Sequence, residues 1–218
     1  MIQVKICGIT NTEDALCAAQ NGAVAVGFIF YPLSPRYIQP EKAREIIDKL
    51  PRDLVKIGVF VNETAEEVKR IFDDCGLDML QLHGDESPDY CRQFSAKLVI
   101  KALELKNEED VKTASNYDVA AILVDSRHAG LYGGTGKKSN WDMADLISQP
   151  LILSGGLNED NVIEALQTCA PAALDINSGV EERPGKKDSA KIARVMQIIK
   201  TGDIGRKTSL IFVRREKT

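Results

Sequence analysis

Eight short β-rich runs alternate with eight amphipathic stretches along this 218-residue chain, and that alternation limits the possible folds more than any other feature. The runs predict strands at Ile2–Cys7, Val24–Phe30, Val55–Val61, Met79–His83, Leu98–Ala102, Ala121–Asp125, Leu151–Ser154 and Ala172–Ile176. Between them, helical patterns cover Thr12–Asn21, Pro40–Leu50, Thr64–Cys75, Ser87–Phe94, Asn107–Ser115, Trp141–Ile147, Asn158–Thr168 and Asp188–Lys200. Several open on Ser, Thr, Asp or Asn, whose side chains satisfy free backbone N–H groups, with acids in the first turn. Thr64-Ala65-Glu66-Glu67 has the sequence of a capping box. Such alternation implies parallel βαβ units. Nearly equal units with no long excursion favour closure over a doubly wound open sheet. No G-x-G-x-x-G follows the first strand, as a dinucleotide-binding sheet would require. The expected fold is α/β, a single (β/α)8 TIM barrel over residues 1–200, with a short C-terminal extension over 201–218.

Strand parity orients the side chains. Ile2, Val4 and Ile6 share the face that should meet the helices, while Gln3, Lys5 and Cys7 should point into the barrel. In the fourth strand Leu80 and Leu82 take one side, Gln81 and His83 the other. Polar groups at the C-terminal ends of strands are where barrel enzymes place their chemistry. Near the end of the chain stand two Ser-Gly elements, Ser154-Gly155-Gly156 and Ser178-Gly179, each after a predicted strand and each followed by helix-forming sequence. Glycine lets backbone N–H groups approach an anion closely, and a helix N-terminus adds a favourable dipole. Together they predict a phosphate held by the loops after the seventh and eighth strands.

A net charge of −4 gives no footprint for nucleic acid or an anionic membrane surface. No apolar run approaches the ~20 residues of a membrane-spanning helix, and the N-terminus lacks a signal-peptide pattern. Five cysteines without a C-x-x-C pair argue against a disulfide framework or thiolate zinc site and for a reducing cytoplasm. Two histidines make a histidine-rich metal site improbable.

Cys7 is either a small buried hydrophobe or a reactive thiol at the barrel mouth. Lys5, on the same face, could depress its pKa toward neutrality. Asp125 is either a turn residue or an acid kept protonated beneath the long glycine-bearing loop 126–140. Arg36, stiffened between Pro32, Pro35 and Tyr37, is either solvated or a fork for a carboxylate or phosphate. His83 can be a satisfied turn residue and Asp175 a structural hydrogen-bond partner. Lys137-Lys138 and Lys186-Lys187 flank the glycine loops and could raise the local potential for an anion.

Taken in order, Val4-Lys5-Ile6-Cys7-Gly8-Ile9, Gly27-Phe28-Ile29-Phe30 with Ser34-Pro35-Arg36, Gly58-Val59-Phe60-Val61-Asn62, Leu80-Gln81-Leu82-His83-Gly84-Asp85, Leu123-Val124-Asp125-Ser126, Gly133-Gly134-Thr135-Gly136, Ser154-Gly155-Gly156-Leu157 and Asp175-Ile176-Asn177-Ser178-Gly179-Val180-Glu181 resemble the phosphoribosylanthranilate isomerase family of tryptophan biosynthesis. The resemblance implies an Amadori rearrangement of N-(5-phosphoribosyl)anthranilate, without metal or organic cofactor. It implies Cys7 as general base, Asp125 as general acid and Arg36 as holder of the anthranilate carboxylate. Gly155, Gly156, Ser178 and Gly179 would grip the phosphate, and His83 and Asp175 would contact the substrate. The partner would be a phosphorylated aminosugar, and the chain a monomer or homodimer in the cytoplasm. A rival barrel isomerase of the histidine pathway would use two aspartates, which Cys7 at the first strand end opposes. A phosphate-binding protein without catalysis is opposed by the joint presence of Cys7 and Asp125. The basic tail, with Arg206, Lys207, Arg214, Arg215 and Lys217 around Leu210-Ile211-Phe212-Val213, is expected either to fray or to pack on the barrel or a second subunit.

Overall fold

The computed structural model of the chain describes residues 2–125, 141–202 and 209–215. Eight parallel strands close in chain order: β1 (Gln3–Ile6), β2 (Ala25–Ile29), β3 (Val55–Phe60), β4 (Met79–Leu82), β5 (Val99–Leu103), β6 (Ala121–Val124), β7 (Leu151–Leu153) and β8 (Ala173–Ile176), which pairs back onto β1. Around them run α1 (Thr12–Gln20), α2 (Pro40–Ile47), α3 (Ala65–Cys75), α4 (Pro88–Cys91), α5 (Glu108–Ala114), α6 (Trp141–Ala144), α7 (Val162–Thr168) and α8 (Ser189–Gly202). The fold is the expected (β/α)8 barrel.

The third unit shows how sequence sets an element. Thr64 caps α3 by accepting from the Glu67 N–H, Glu66 and Glu67 sit in the first turn, and Gly76 ends the helix at φ 65°. Ala65, Val68, Ile71, Phe72 and Cys75 are its buried stripe at helical spacing. The expected capping box is only half formed here. The Thr64 N–H goes to the Glu63 carboxylate, while Glu67 pairs with Arg70. A complete box forms instead at α5, between Asn107 and Asp110.

Inward and outward faces follow the parity. Val4, Ile6, Leu80 and Leu82 belong to the layer between strands and helices. Ile57, Met79, Ile100, Leu123 and Ile152 form an apolar layer inside the barrel. Above it the interior turns polar, at Lys5, Gln81 and Asp175.

Several boundaries differ from expectation. α7 begins at Val162 because Asn158 and Asn161 use their side chains on loop N–H groups. α4 and α6 are short, each passing into i→i−3 turns. A hairpin, β9 (Glu181–Arg183) with β10 (Lys186–Lys187), follows β8 and turns at Gly185, φ 79°. Neither strand was expected, although Pro184-Gly185 is a turn signal.

Of the tail, residues 209–215 pack on the barrel. Ile211 and Phe212 are buried in the inner apolar layer. The Gln3 amide accepts from the Ile211 and Phe212 N–H groups at 2.7 and 3.0 Å and donates to the Phe212 carbonyl at 3.3 Å. Arg215 reaches Asp73 at 2.7 Å and lies over the Phe72 ring. Arg206, Lys207 and Lys217 lie outside the described residues.

Candidate active site

At the C-terminal ends of the strands a cleft is lined by Cys7, Arg36, Gln81, His83, Asp125, Ser154, Gly155, Gly156, Asp175, Asn177 and Ser178. Every site residue named from the sequence lines it except Gly179, which stands directly behind. A Cβ on Gly179 would lie 1.9 Å from the Leu157 carbonyl oxygen, so only glycine lets the β8 loop rest on the β7 loop. Gly155 and Gly156 adopt φ of 90° and 66°. The expected helix N-termini do not follow these turns directly. Ser178–Val180 is a single 3-10 turn leading into the hairpin, and α7 starts six residues after Gly156. An anion here therefore meets backbone N–H groups of turns rather than the end of a long helix.

Cys7 stands just past β1, buried, opposite Gly27 on β2. Its neighbour Lys5 is fully buried and donates to Gln81 Oε1 at 2.7 Å and Asp175 Oδ2 at 2.8 Å. Pairing of Lys5 opposite Asp175 in the β1–β8 register brings the two together. Burial works against the Lys5 charge, but Asp175 and Cys7 outweigh it and its pKa rises. The thiol does not follow the expected depression. Burial pushes Cys7 up, against the opposing pull of Lys5, whose charge is shared with Asp175. Asp175 Oδ1 is buried without a hydrogen-bond partner among the described residues. Such a buried acceptor is rare in a native interior and is open to a donor entering the cleft.

Arg36 is held rather than solvated. Its Nε and Nη2 form a bidentate pair with Glu181 at 2.9 and 2.7 Å. Lys187 donates to the same carboxylate at 3.0 Å and to Asn177 Oδ1 at 2.9 Å. Two cations on one carboxylate leave the trio with a net positive charge beside the cleft. Lys187 is thus a buried structural partner, and Lys186 pairs with Asp14 at 2.7 Å, so neither acts as the free anion attractor expected. Burial lowers the Lys187 pKa more than Glu181 raises it. Gly8, φ 74°, makes this convergence possible. A Cβ there would meet Asn177 Oδ1 at 2.7 Å and Arg36 Cδ at 2.8 Å.

On the far side His83 is buried, with Nδ1 2.7 Å from Gln81 Nε2 and Nε2 3.2 Å from Asp125 Oδ2. It is a bridging group, not a turn residue. The loop 126–140, with Lys137-Lys138 and its glycines, lies outside the described residues. Sequence reasoning assigned no role to Gln81, Asn177 or Glu181. Inward parity pointed to Gln81, whereas nothing local marks Glu181 as the partner of Arg36.

Comparison with known proteins gives a consistent result. The family model for N-(5'-phosphoribosyl)anthranilate (PRA) isomerase matches residues 4–198. The N-(5'-phosphoribosyl)anthranilate isomerase of Syntrophus aciditrophicus is 52% identical over 202 residues, covering 92% of this chain and 88% of the relative. The crystal structure of phosphoribosyl anthranilate isomerase from Thermotoga maritima superposes with a TM-score of 0.84 at 44% identity, over 92% of this chain and 100% of that one. A phosphoribosyl anthranilate isomerase crystallised with reduced 1-(o-carboxyphenylamino)-1-deoxyribulose 5-phosphate superposes at 0.81 and 42% identity, with the same coverage of both chains. With barrel, cleft and matched span in agreement, the chain belongs to the N-(5'-phosphoribosyl)anthranilate isomerase family.

Proposed function

We propose that this cleft carries out the family's Amadori rearrangement, with Cys7 as general base and Asp125 as general acid on opposite sides of the bound sugar. The observation that carries the proposal is the convergence of Cys7, Arg36, Asp125, Asp175 and the Ser154–Gly156 and Ser178 turns on one cleft. In the chemistry we infer, Asp125 protonates the furanose ring oxygen. The C1–O bond breaks and the aminoaldose opens to a protonated Schiff base. Cys7 takes the proton from C2, the C–H electron pair forms the C1–C2 double bond, and the iminium nitrogen is neutralised. The enolamine then tautomerises to the ketone, 1-(2-carboxyphenylamino)-1-deoxyribulose 5-phosphate.

Timing matters for a thiol that burial pushes up. The Schiff-base cation arises next to C2 just when the base is needed, and it joins Lys5 and Lys187 in favouring thiolate. Arg36, clamped on its Nε and Nη2 edge, turns Nη1 to the anthranilate carboxylate. Asp175 Oδ1 supplies an acceptor for a sugar hydroxyl. His83 contributes to the acid side through Asp125. Gly155, Gly156, Ser178 and Gly179 grip the phosphate, and that remote binding holds the sugar between acid and base.

The related structure holding reduced 1-(o-carboxyphenylamino)-1-deoxyribulose 5-phosphate supports this ligand class. The five free cysteines fit a cytoplasmic location. Among the described residues no helix is long and apolar enough to cross a membrane. Assembly as monomer or homodimer, and residues 201–218 as an extension to a barrel of residues 1–200, complete the proposal.

The test is steady-state turnover of N-(5'-phosphoribosyl)anthranilate by Cys7→Ala and Asp125→Asn, beside their affinity for the reduced product analogue. Each variant is expected to lose roughly 100- to 10,000-fold in kcat while analogue affinity stays within severalfold. Near-normal turnover by either would remove that residue from its role.

A further inference from the structure

A continuous chain of hydrogen bonds crosses the barrel from the base side to the acid side. It runs from Asp175 Oδ2 to Lys5 Nζ at 2.8 Å and on to Gln81 Oε1 at 2.7 Å. It continues from Gln81 Nε2 to His83 Nδ1 at 2.7 Å and from His83 Nε2 to Asp125 Oδ2 at 3.2 Å. All five side chains are buried. Because every link is buried, a donor facing a donor is costly and the direction of each bond is fixed by its neighbours.

The direction can be read from one end. A lysine ammonium has only donors, so the Gln81 atom facing it must be the carbonyl oxygen. The other end of that amide is then NH2, and it donates to His83 Nδ1. A nitrogen that accepts carries no proton, so the imidazole must hold its single proton on Nε2 and donate it to Asp125 Oδ2. We propose that Lys5 and Gln81 are positioning residues for the acid: together they lock His83 as the neutral Nε2–H tautomer beside Asp125.

This deepens the proposed reaction and rests on Asp125 as its acid. A proton on Nδ1 would turn an N–H against the Gln81 NH2, a donor facing a donor. That exclusion has a chemical purpose. An imidazolium against Asp125 would hold it as a carboxylate and leave no proton for the ring oxygen. A neutral Nε2–H instead donates to Oδ2 and sets no imidazolium charge against the acid. The same lysine that faces Cys7 therefore sets the hydrogen-bond polarity of the acid across the barrel. Gln81 gains its place from parity on β4, and Lys5 from parity on β1.

The direct test is a long-range proton–nitrogen NMR spectrum of the histidine rings. The chain has two histidines, so a spectrum of His128→Asn assigns His83 by difference. Near neutral pH the expected pattern is an unprotonated Nδ1 and a protonated Nε2. A protonated Nδ1, alone or in an imidazolium, overturns the proposal. A second arm uses Gln81→Glu, whose carboxylate accepts from both Lys5 and Nδ1–H. Nδ1 is then expected to become protonated and kcat to fall about tenfold or more, with KM changed much less. Unchanged kcat with Nδ1 protonated would overturn the proposed role. Should Gln81→Glu not fold, Gln81→Met serves for the same kcat comparison, and an undiminished kcat again counts against it. The spectrum of the unaltered protein does not depend on Asp125 being the acid. Failure of Asp125→Asn to lose turnover would sink the acid assignment while leaving the tautomer result standing.

Discussion

Gly27 shows how a single missing side chain makes room for Cys7, the proposed base. A Cβ there would lie 2.7 Å from Cys7 Sγ and 2.9 Å from Lys5 Cε. Gly27→Ala is expected to displace the thiol, with kcat lower by about 100-fold and stability lower by about 1–3 kcal/mol. Steady-state kinetics and thermal unfolding check both. Glu181 is the counterpart for Arg36, the proposed carboxylate clamp. Burial raises its pKa, but hydrogen bonds and charge from Arg36 and Lys187 outweigh that and hold it below the usual carboxylate range. A depressed folded value means its contribution is present above the unfolded pKa of about 4.3 and is lost as pH falls through the folded one. Glu181→Gln is expected to remove that acid-dependent loss from the unfolding curve and, by loosening Arg36, to raise KM about tenfold. An unchanged KM would show that Arg36 does not need this anchor. The sequence marked Cys7 and Asp125 as candidates by their places at strand ends and Arg36 by its proline-stiffened loop, and the structure puts all three on one cleft. The sequence could not disclose Glu181, which meets Arg36 only through a contact 145 residues apart.

At the scale of elements, strands were legible because parity and β-rich composition repeat in every unit, whereas helix ends were not. α7 loses its first turn to two asparagine side chains whose choice between cap and loop depends on the fold around them. The β9–β10 hairpin escaped for a related reason, since its strands are charged and only two or three residues long. The tail's apolar run was visible, but its destination depended on a vacancy at the floor of a barrel not yet built. Phe212→Ala is expected to cost about 3–5 kcal/mol in chemical denaturation, with kcat and KM unchanged because the floor lies at the opposite end from the cleft. A loss of less than about 1 kcal/mol would mean the tail is not part of the core. Where the two phosphate turns touch, Gly179→Ala should force the β8 loop off the Leu157 carbonyl. Calorimetric titration with the product analogue should then show affinity lower by about tenfold or more, and unchanged affinity would separate this contact from the grip.

For the whole molecule, closure of the barrel converts sequence order into position. Cys7 stands after β1, Arg36 after β2, Asp125 after β6 and the Ser-Gly turns after β7 and β8. No two of the first three are neighbours in sequence, yet they face one cleft because β8 pairs with β1. The relation among them is therefore the central claim. A crystal structure with the reduced product analogue bound tests it most directly. The phosphate is expected within hydrogen-bond distance of the Gly155–Gly156 and Ser178–Gly179 backbone, the carboxylate at Arg36 Nη1, and C2 of the sugar chain against Cys7 Sγ with Asp125 across from it. A phosphate bound at the Arg36 side, or a sugar chain that leaves Cys7 out of contact, would contradict it.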